Sequence, residues 1–533
     1  MIDRLVMGAL FRRFKMVFGD YSSGVTSVCQ ISVKASSNSY NYEDAVKMLN
    51  SLQTNASVLQ EIKKRNQAHS FQVKNIEETV KYLVRSGVSL EKIDDLSIIH
   101  VSGTKGKGST CAFCESILRH HGYKTGFYSS PHLVAVRERI RINGQPLSQN
   151  DFTKYFWKLY NKLNTFKENE NDMPPYFKFL TVLAFNVFLA EKVDVAIIEV
   201  GIGGEYDCTN ILDKKVSTVG ITSLGLDHTS LLGNTIEEIA WQKAGIMKPG
   251  SVAITVEQPP QALQVLQQRA AERKSTLLMA PSLDLYKWDC FIPQLNALAD
   301  VQLLNASLAV QLAHTWMYTS NNASIQCVQT GEEDFETRSP LFPLSSTMAS
   351  GLTNCMWPGR NQIISDDRIQ YFLDGAHTKE SLELCAQWFV HHSEQITNKN
   401  VPVRVLIFNC TGNRDSKTLL LPLVECHFDL VIFCPNNITT TTDITSDQAN
   451  FMTTTAQQLE RCEKNQEAWQ EIQKENKTSA EIKFFPCVSD TLTFVQKRCM
   501  DEDIDYHVFV TGSLHLVGSV MSMLDPELNL TLS

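Results

Sequence analysis

The sequence predicts an α/β chain of two parts: an N-terminal P-loop-containing domain on a mostly parallel sheet, and a smaller C-terminal Rossmann-like α/β domain. Three observations carry this. Short, β-rich apolar runs alternate with helical segments from about residue 96, a second series of the same kind begins after a polar stretch at 318–350, and a Gly/Lys-rich segment joins the first apolar strand to a helix. Continuous apolar runs separated by helices indicate strands buried on both faces, as βαβ units require.

At 533 residues, 43% hydrophobic and 20% charged, the chain is longer than one core usually organises, so two domains are expected. Its net charge of -9 leaves no broad basic footprint, which argues against nucleic-acid binding. The 14 cysteines are scattered rather than arranged as a dense framework, which points to reduced thiols inside the cell. Cys111 and Cys114 have CxxC spacing, but no second CxxC accompanies them, and residues three apart share one helix face. The longest apolar candidate, 179–190, is broken by Asn186 and falls short of the roughly 18 residues of a membrane span, so no transmembrane segment is expected.

Residues 1–41 begin with Arg4, Arg12, Arg13 and Lys15 among large apolar residues, the pattern of a mitochondrial leader, and Met16 offers an internal start for a cytosolic form. Residues 42–95 carry apolar positions at helical spacing, the second helix ending at Gly87. Then come the strands LSIIHVS, YKTGFYS, VDVAIIEV, VSTVGITS and SVAITV, with a helix from Ser109. The polar stretch places the boundary near 343, giving parts 42–343 and 344–533. The second part reads as IQYFLDG, a helix over ESLELCAQWF, VRVLIFNC, FDLVIFCP and DYHVFVTGS before a terminal helix, with 436–482 a Thr-rich loop and an exposed helix outside the core.

The chemistry gathers at strand ends. Residues 102–110, Ser-Gly-Thr-Lys-Gly-Lys-Gly-Ser-Thr, follow a strand and open a helix, which makes them an anion cradle: glycines admit phosphate oxygens to backbone N–H groups, Lys107 can neutralise β/γ-phosphates, and Ser109 can meet magnesium. Gly108 separates Lys107 from Ser109, a departure from G-x-x-x-x-G-K-[ST]. Glu199 ends a buried strand and is followed by three glycines in Gly201-Ile202-Gly203-Gly204, so a cation is expected beside it. Two further strands end in Ser129-Ser130-Pro131-His132 and Leu226-Asp227-His228, and all four motifs fall at one edge of the same parallel sheet. A lone His132 or His228 is more often structural, and magnesium normally takes oxygen ligands. The arginines of 136–144 either steer carboxylates or form a solvated strand face before an Asn-Gly turn.

Together GTKGKGST, SSPHLVAVRERIRING, EVGIGGEYDCTN, GLDHTSLLG, AGIMKPG, WPGR and DGAHT resemble the motifs of folylpolyglutamate synthases, within the Mur-ligase-like superfamily, in order from about Tyr42 to the terminal helix. The resemblance implies an ATPase first domain and an ATP- and Mg2+-dependent ligase that adds L-glutamate to the γ-carboxylate of folates through an acyl phosphate. It implies that Gly106, Lys107, Gly108 and Ser109 bind ATP phosphates, that Ser130, Glu199 and His228 ligate magnesium, and that Lys107, His228 and Lys243 serve catalysis. Lys243 looks like the lysine that related ligases carbamylate for a second magnesium; an unmodified lysine on phosphate is the other reading. Arg360 and Asp374 are similar to nucleotide-binding residues, and Asn305 to the asparagine that approaches adenine, although Val301-Gln302 stands where many relatives carry His-Gln. A K+ site stays open. The resemblance further implies a monomer, present in the mitochondrial matrix and the cytoplasm. Dihydrofolate synthase, alone or bifunctional, is the alternative within the class, and a nucleotide-dependent binding protein the alternative outside it.

Overall fold

The structure, a computed structural model, describes residues 41–53, 68–212, 216–289, 300–320, 338–396, 401–410, 414–441, 443–448, 454–502, 504–526 and 528–529. Of the expected leader only Asn41 is described, as the cap of the helix Tyr42–Asn50; residues 1–40 lie outside the described ones. The first sheet comprises β1 (Ile98–Ser102), β2 (Thr125–Tyr128), β3 (Ile140–Ile142), β4 (Gln145–Pro146), β5 (Val195–Glu199), β6 (Val216–Ile221), β7 (Val252–Thr255) and β8 (Thr276–Met279), in the spatial order β4-β3-β2-β5-β1-β6-β7-β8. All neighbours pair in parallel except β3 with β2 and with β4.

Alternation along the strands sorts side chains into two cores. Ile98, Ala196 and Ile198 face Phe179, Leu183 and Phe188 of the helix Tyr176–Glu191. Ile99, Val101, Val195 and Ile197 face Ile117 and Leu118 of the helix Lys107–His120, and Leu308 and Leu312 of the helix Asp300–Ser320. Cys111 and Cys114 are fully buried in that second core, as two positions on one helix face should be. Among the described residues no helix is long and apolar enough to cross a membrane.

The second sheet comprises β9 (Gln362–Asp366), β10 (Ile369–Leu373), β11 (Val403–Phe408), β12 (Leu430–Phe433), β13 (Glu481–Phe484) and β14 (Tyr506–Thr511), in the order β13-β12-β11-β14-β10-β9. Only β9 runs antiparallel to its neighbour. Its two faces bury Tyr371, Val405 and Val508 on one side and Phe372, Leu406 and Phe509 on the other.

Several sequence expectations change here. The helix of the phosphate loop begins at Lys107, two residues before Ser109, because Gly106 takes φ 85° and turns the chain directly into it. The polar stretch starts late: the helix Asp300–Ser320 runs into it, and on its far side Leu344, Met348 and Leu352 join the core beneath the helix Lys107–His120. Gly351 permits that docking, since a Cβ there would stand 2.6 Å from Ile117 Cα. By packing, the chain crosses to the second sheet between Trp357 and Gln362. Nor is the segment 455–476 simply exposed: Cys462, Trp469 and Ile472 of the helix Thr455–Asn476 bury against the second sheet, one narrow apolar stripe on an otherwise charged helix.

His100 on β1 and His507 on β14 are buried, and burial lowers their imidazoles to about 3 and about 4. An unfolded chain takes up these protons below about 6.5, whereas the folded chain refuses them until the native values are reached. Stability is therefore complete above about pH 6.5 and falls as the pH drops from there toward 4. Urea midpoints measured across that range should decline, and His507→Gln should flatten part of the decline.

Candidate active site

β2, β5, β1 and β6 are adjacent and parallel, so the four sequence motifs do meet at one carboxyl edge. At its centre, β1 ends and residues 103–106 turn into the helix Lys107–His120. Gly103 and Gly106 both have positive φ, and side chains there would strike Thr222 and Asn305. The turn hangs from the end of β6: Thr104 and Lys105 N–H both donate to Ser223 O, at 3.0 and 3.1 Å, and the Thr104 hydroxyl bonds Gly225. With its first-turn N–H groups unsatisfied within the helix, the helix start carries partial positive charge toward any anion in the cradle. Ser109 is buried in that first turn.

Glu199, at the end of β5, is buried and accepts Ser130 N–H at 3.0 Å, so two of the three expected metal residues are brought together. Burial raises its carboxyl, and Lys107, the Ser130 N–H, Arg360 and Arg139 counter the rise. Lys107, Arg360 and Arg139 are the cations expected beside it. Ser130, Glu199, Gly108, Trp357 and Arg360 line one cleft, which His228 does not line.

His228 is exposed and in a left-handed turn, its N–H donating to Asp227 Oδ1 at 2.8 Å. Its imidazole is lowered by burial of the ring's surroundings against the pull of Asp227, with Lys107 and Lys243 adding repulsion. Lys243, buried on the helix Ile236–Ala244, donates from Nζ to Gly103 O at 2.7 Å, and burial, then Lys107, lowers its ammonium to about 7. Lys107, Lys243 and His228 thus share one electrostatic neighbourhood below the phosphate loop.

The second part closes over this edge. Trp357 lies on Gly108, where a Cβ would stand 3.0 Å from its indole, and Arg141 stacks on the same indole at 5.3 Å. Asp374 is buried and already engaged, its two oxygens accepting the N–H groups of Asn361 and Ala376 at 2.8 Å each, so it ties the WPGR turn to the DGAH turn. Burial raises its carboxyl and Arg360 counters this. Among the described residues two ion pairs cross between the parts: Lys105 with Glu380 at 2.9 Å, and Arg414 with Asp227 at 3.9 Å.

Asn305 sits directly beneath Gly106, its Oδ1 accepting the Thr110 hydroxyl at 3.4 Å, so it supports the loop from below. The solvated strand face, one of the two readings of 136–144, does not hold: Arg137, Arg139 and Arg141 are all buried, the first two on the 3-10 turn Val136–Arg139 and the third on β3, and they meet carbonyls, His132 and Trp357. The Asn-Gly turn is as read, with Asn143 and Gly144 at φ 50° and 77°. His132 is half-buried, held between Arg139 and a carbonyl, and it lines the same cleft. Trp357, Arg414 and Asp227 were not picked out by sequence as a group; only WPGR and GLDH, already quoted, held a signal for two of them. Among the described residues no three His, Cys, Asp or Glu side chains form a ready metal cluster.

Two mostly parallel sheets whose loops meet over one glycine-rich strand-to-helix turn define an α/β protein of two parts. The family model for "Dihydrofolate synthetase, C-terminal domain" matches residues 360–523. The mitochondrial folylpolyglutamate synthase of Cricetulus griseus is 42% identical over 546 residues, covering 92% of each chain; that of Homo sapiens is 42% identical over 549 residues, covering 92% of this chain and 93% of its own. Among solved structures, the apo form of L. casei FPGS covers 91% of this chain and 100% of its own at 23% identity and TM-score 0.64. The complex of E. coli FolC with DHPP and ADP covers 92% and 98% at 22% identity and TM-score 0.61. This chain belongs to the folylpolyglutamate synthase family.

Proposed function

We propose that the chain is an ATP-dependent ligase that adds L-glutamate to the γ-carboxylate of tetrahydrofolates through an acyl phosphate, releasing ADP and phosphate. The observation that carries the proposal is the convergence of the phosphate loop, Glu199 and Arg360 on one cleft between the two parts. A carboxylate is a poor acyl donor because oxide is a poor leaving group; phosphorylation supplies a good one. Residues 106–109 hold the nucleotide phosphates, Lys107 and Arg360 offset the charge that spreads over the transferring phosphoryl group, and the Trp357 side of the cleft excludes water from the acyl phosphate. The glutamate amine then attacks the acyl carbon. Asp374 positions the Arg360 turn, and Asn305 sets the loop beneath the nucleotide.

Magnesium fits Ser130 and Glu199: the pair offers a hydroxyl and a buried carboxylate at the cleft, the hard oxygen donors this ion prefers. His228 joins them by resemblance. When bound, magnesium supplies charge stabilisation to the phosphates. Lys243 is a candidate for carbamylation, because a buried amine lowered to about 7 is largely available as the neutral nucleophile that adds CO2. An intact-mass spectrum under CO2-preserving conditions should show one CO2 adduct that Lys243→Arg lacks; no adduct on the unaltered protein would leave Lys243 as an unmodified cation below the phosphates.

The acyl phosphate is tested by isotope transfer. With 18O in the folate γ-carboxylate, one labelled oxygen should appear in the released phosphate for each glutamate added, and unlabelled phosphate would refute this route. The match of residues 360–523 to a dihydrofolate synthetase domain favours a second reading, glutamate transfer to dihydropteroate by the same chemistry. Supplying dihydropteroate and tetrahydrofolate separately distinguishes the two. The relatives named mitochondrial support a matrix form, and start at Met16 supports a cytoplasmic one.

A further inference from the structure

The turn Trp357-Pro358-Gly359-Arg360 belongs to both parts of the chain. Its far end hangs from the second sheet: Gly359 O accepts Gly375 N–H at 3.2 Å, Gly359 N–H donates to Gln362 Oε1 at 2.8 Å, and Asn361 N–H donates to Asp374. Its near end is seated in the first part. The indole of Trp357 lies 5.4 Å from the ring of Phe127 on β2, takes the Arg141 guanidinium over its face at 5.3 Å, and rests on Gly108 in the first turn of the helix Lys107–His120.

That seat is built to hold a flat ring. Arg141 is buried and cannot swing away, because its Nε donates to Glu138 O and its Nη1 to Gly144 O, both at 3.2 Å, which leaves the guanidinium plane for stacking. Gly108 clears the other side: a Cβ there would stand 3.0 Å from the six-membered ring and 3.3 Å from Nε1. The glycine that separates Lys107 from Ser109 thus makes room for an indole. From Trp357 the chain has little freedom before Arg360, since Pro358 fixes its own φ and the buried Gly359 is bonded at both N–H and O. Arg360 ends with Nη1 over Gly375, 2.7 Å from where a Cβ would be, and lines the cleft together with Gly108, Ser130 and Glu199.

We propose that Trp357 is a positioning residue: seated between Phe127, Arg141 and Gly108, it registers Arg360 of the second part against the phosphate loop of the first, a role that rests on Arg360 offsetting charge on the transferring phosphoryl group. The test is steady-state glutamylation of tetrahydrofolate by the full chain, with kcat and the KM for ATP measured separately. Trp357→Ala should lower kcat by about a hundredfold, the cost of misplacing a positioned group by about 1 Å, and leave the KM for ATP nearly unchanged, because Lys107 and the loop N–H groups still hold the phosphates. Trp357→Phe keeps a flat ring against Gly108 and Arg141 and should retain most of the turnover. Arg360→Met should slow the enzyme at least as far, and Trp357→Ala/Arg360→Met should be no slower than Arg360→Met alone, since both changes remove one interaction. Should Trp357→Ala not fold, Trp357→Leu keeps apolar volume in the seat without the flat face and should show the same loss and the same lack of additivity. Losses that multiply in the double variant, or full turnover in Trp357→Ala while Arg360→Met is slow, would overturn the positioning role; unchanged turnover in Arg360→Met would instead remove the role of Arg360 on which it rests.

Discussion

Lys107→Ala should lower ligase turnover by about a thousandfold while leaving the protein folded. The side chain opens the helix Lys107–His120 at the cleft, and its charge is felt by Glu199, Lys243 and His228 together. No apolar core depends on it. Its removal relieves repulsion on Lys243 and withdraws a cation from Glu199, opposing effects that should leave the thermal midpoint close to its value. The loss should therefore appear in kcat, measured under saturating nucleotide, with an unchanged circular dichroism spectrum. Turnover that survived the substitution would remove the phosphate cradle from catalysis.

Glu199→Gln should cost about a hundredfold or more in turnover and leave stability equal or higher. Glutamine keeps the volume and still accepts Ser130 N–H, so packing and the hydrogen bond at 3.0 Å survive. What goes is a buried charge, whose desolvation works against the fold. A drop in activity together with a lower melting temperature would mean that the carboxylate is structural. The two outcomes separate because the site asks for a charge that the core does not want.

The physical reasons why some features were legible in the sequence and others were not can be seen strand by strand. β1, β2, β5, β6, β7, β10, β11, β12 and β14 read directly as apolar runs, since helices cover both faces of an interior strand. β8, β9 and β13 were missed, and all three are sheet edges. An edge strand is covered on fewer sides, so Gln-Ile-Ile-Ser-Asp and Glu-Ile-Lys-Phe carry too little apolar signal to stand out. The phosphate loop, Ser130 and Glu199 were legible because glycines and strand ends mark them locally. The hydrogen bond from Tyr42 to Asp447 was not: it joins residues 405 apart in sequence through two side chains that are individually ordinary. The same holds for Trp357 on Gly108 and Arg414 on Asp227, contacts between residues far apart in sequence. Alternation with apolar residues reads as a strand throughout 137–141, which holds for Arg141 on β3, whereas Arg137 and Arg139 lie on a 3-10 turn and all three are buried.

The most direct measurement is product mass after incubation of the purified chain with Mg-ATP, tetrahydrofolate and isotopically labelled glutamate. A ladder of folates, each heavier by one glutamyl residue, with one ADP released per addition, is the expected result. ATP consumed without any glutamylated tetrahydrofolate, or glutamate transferred to dihydropteroate alone, would contradict it.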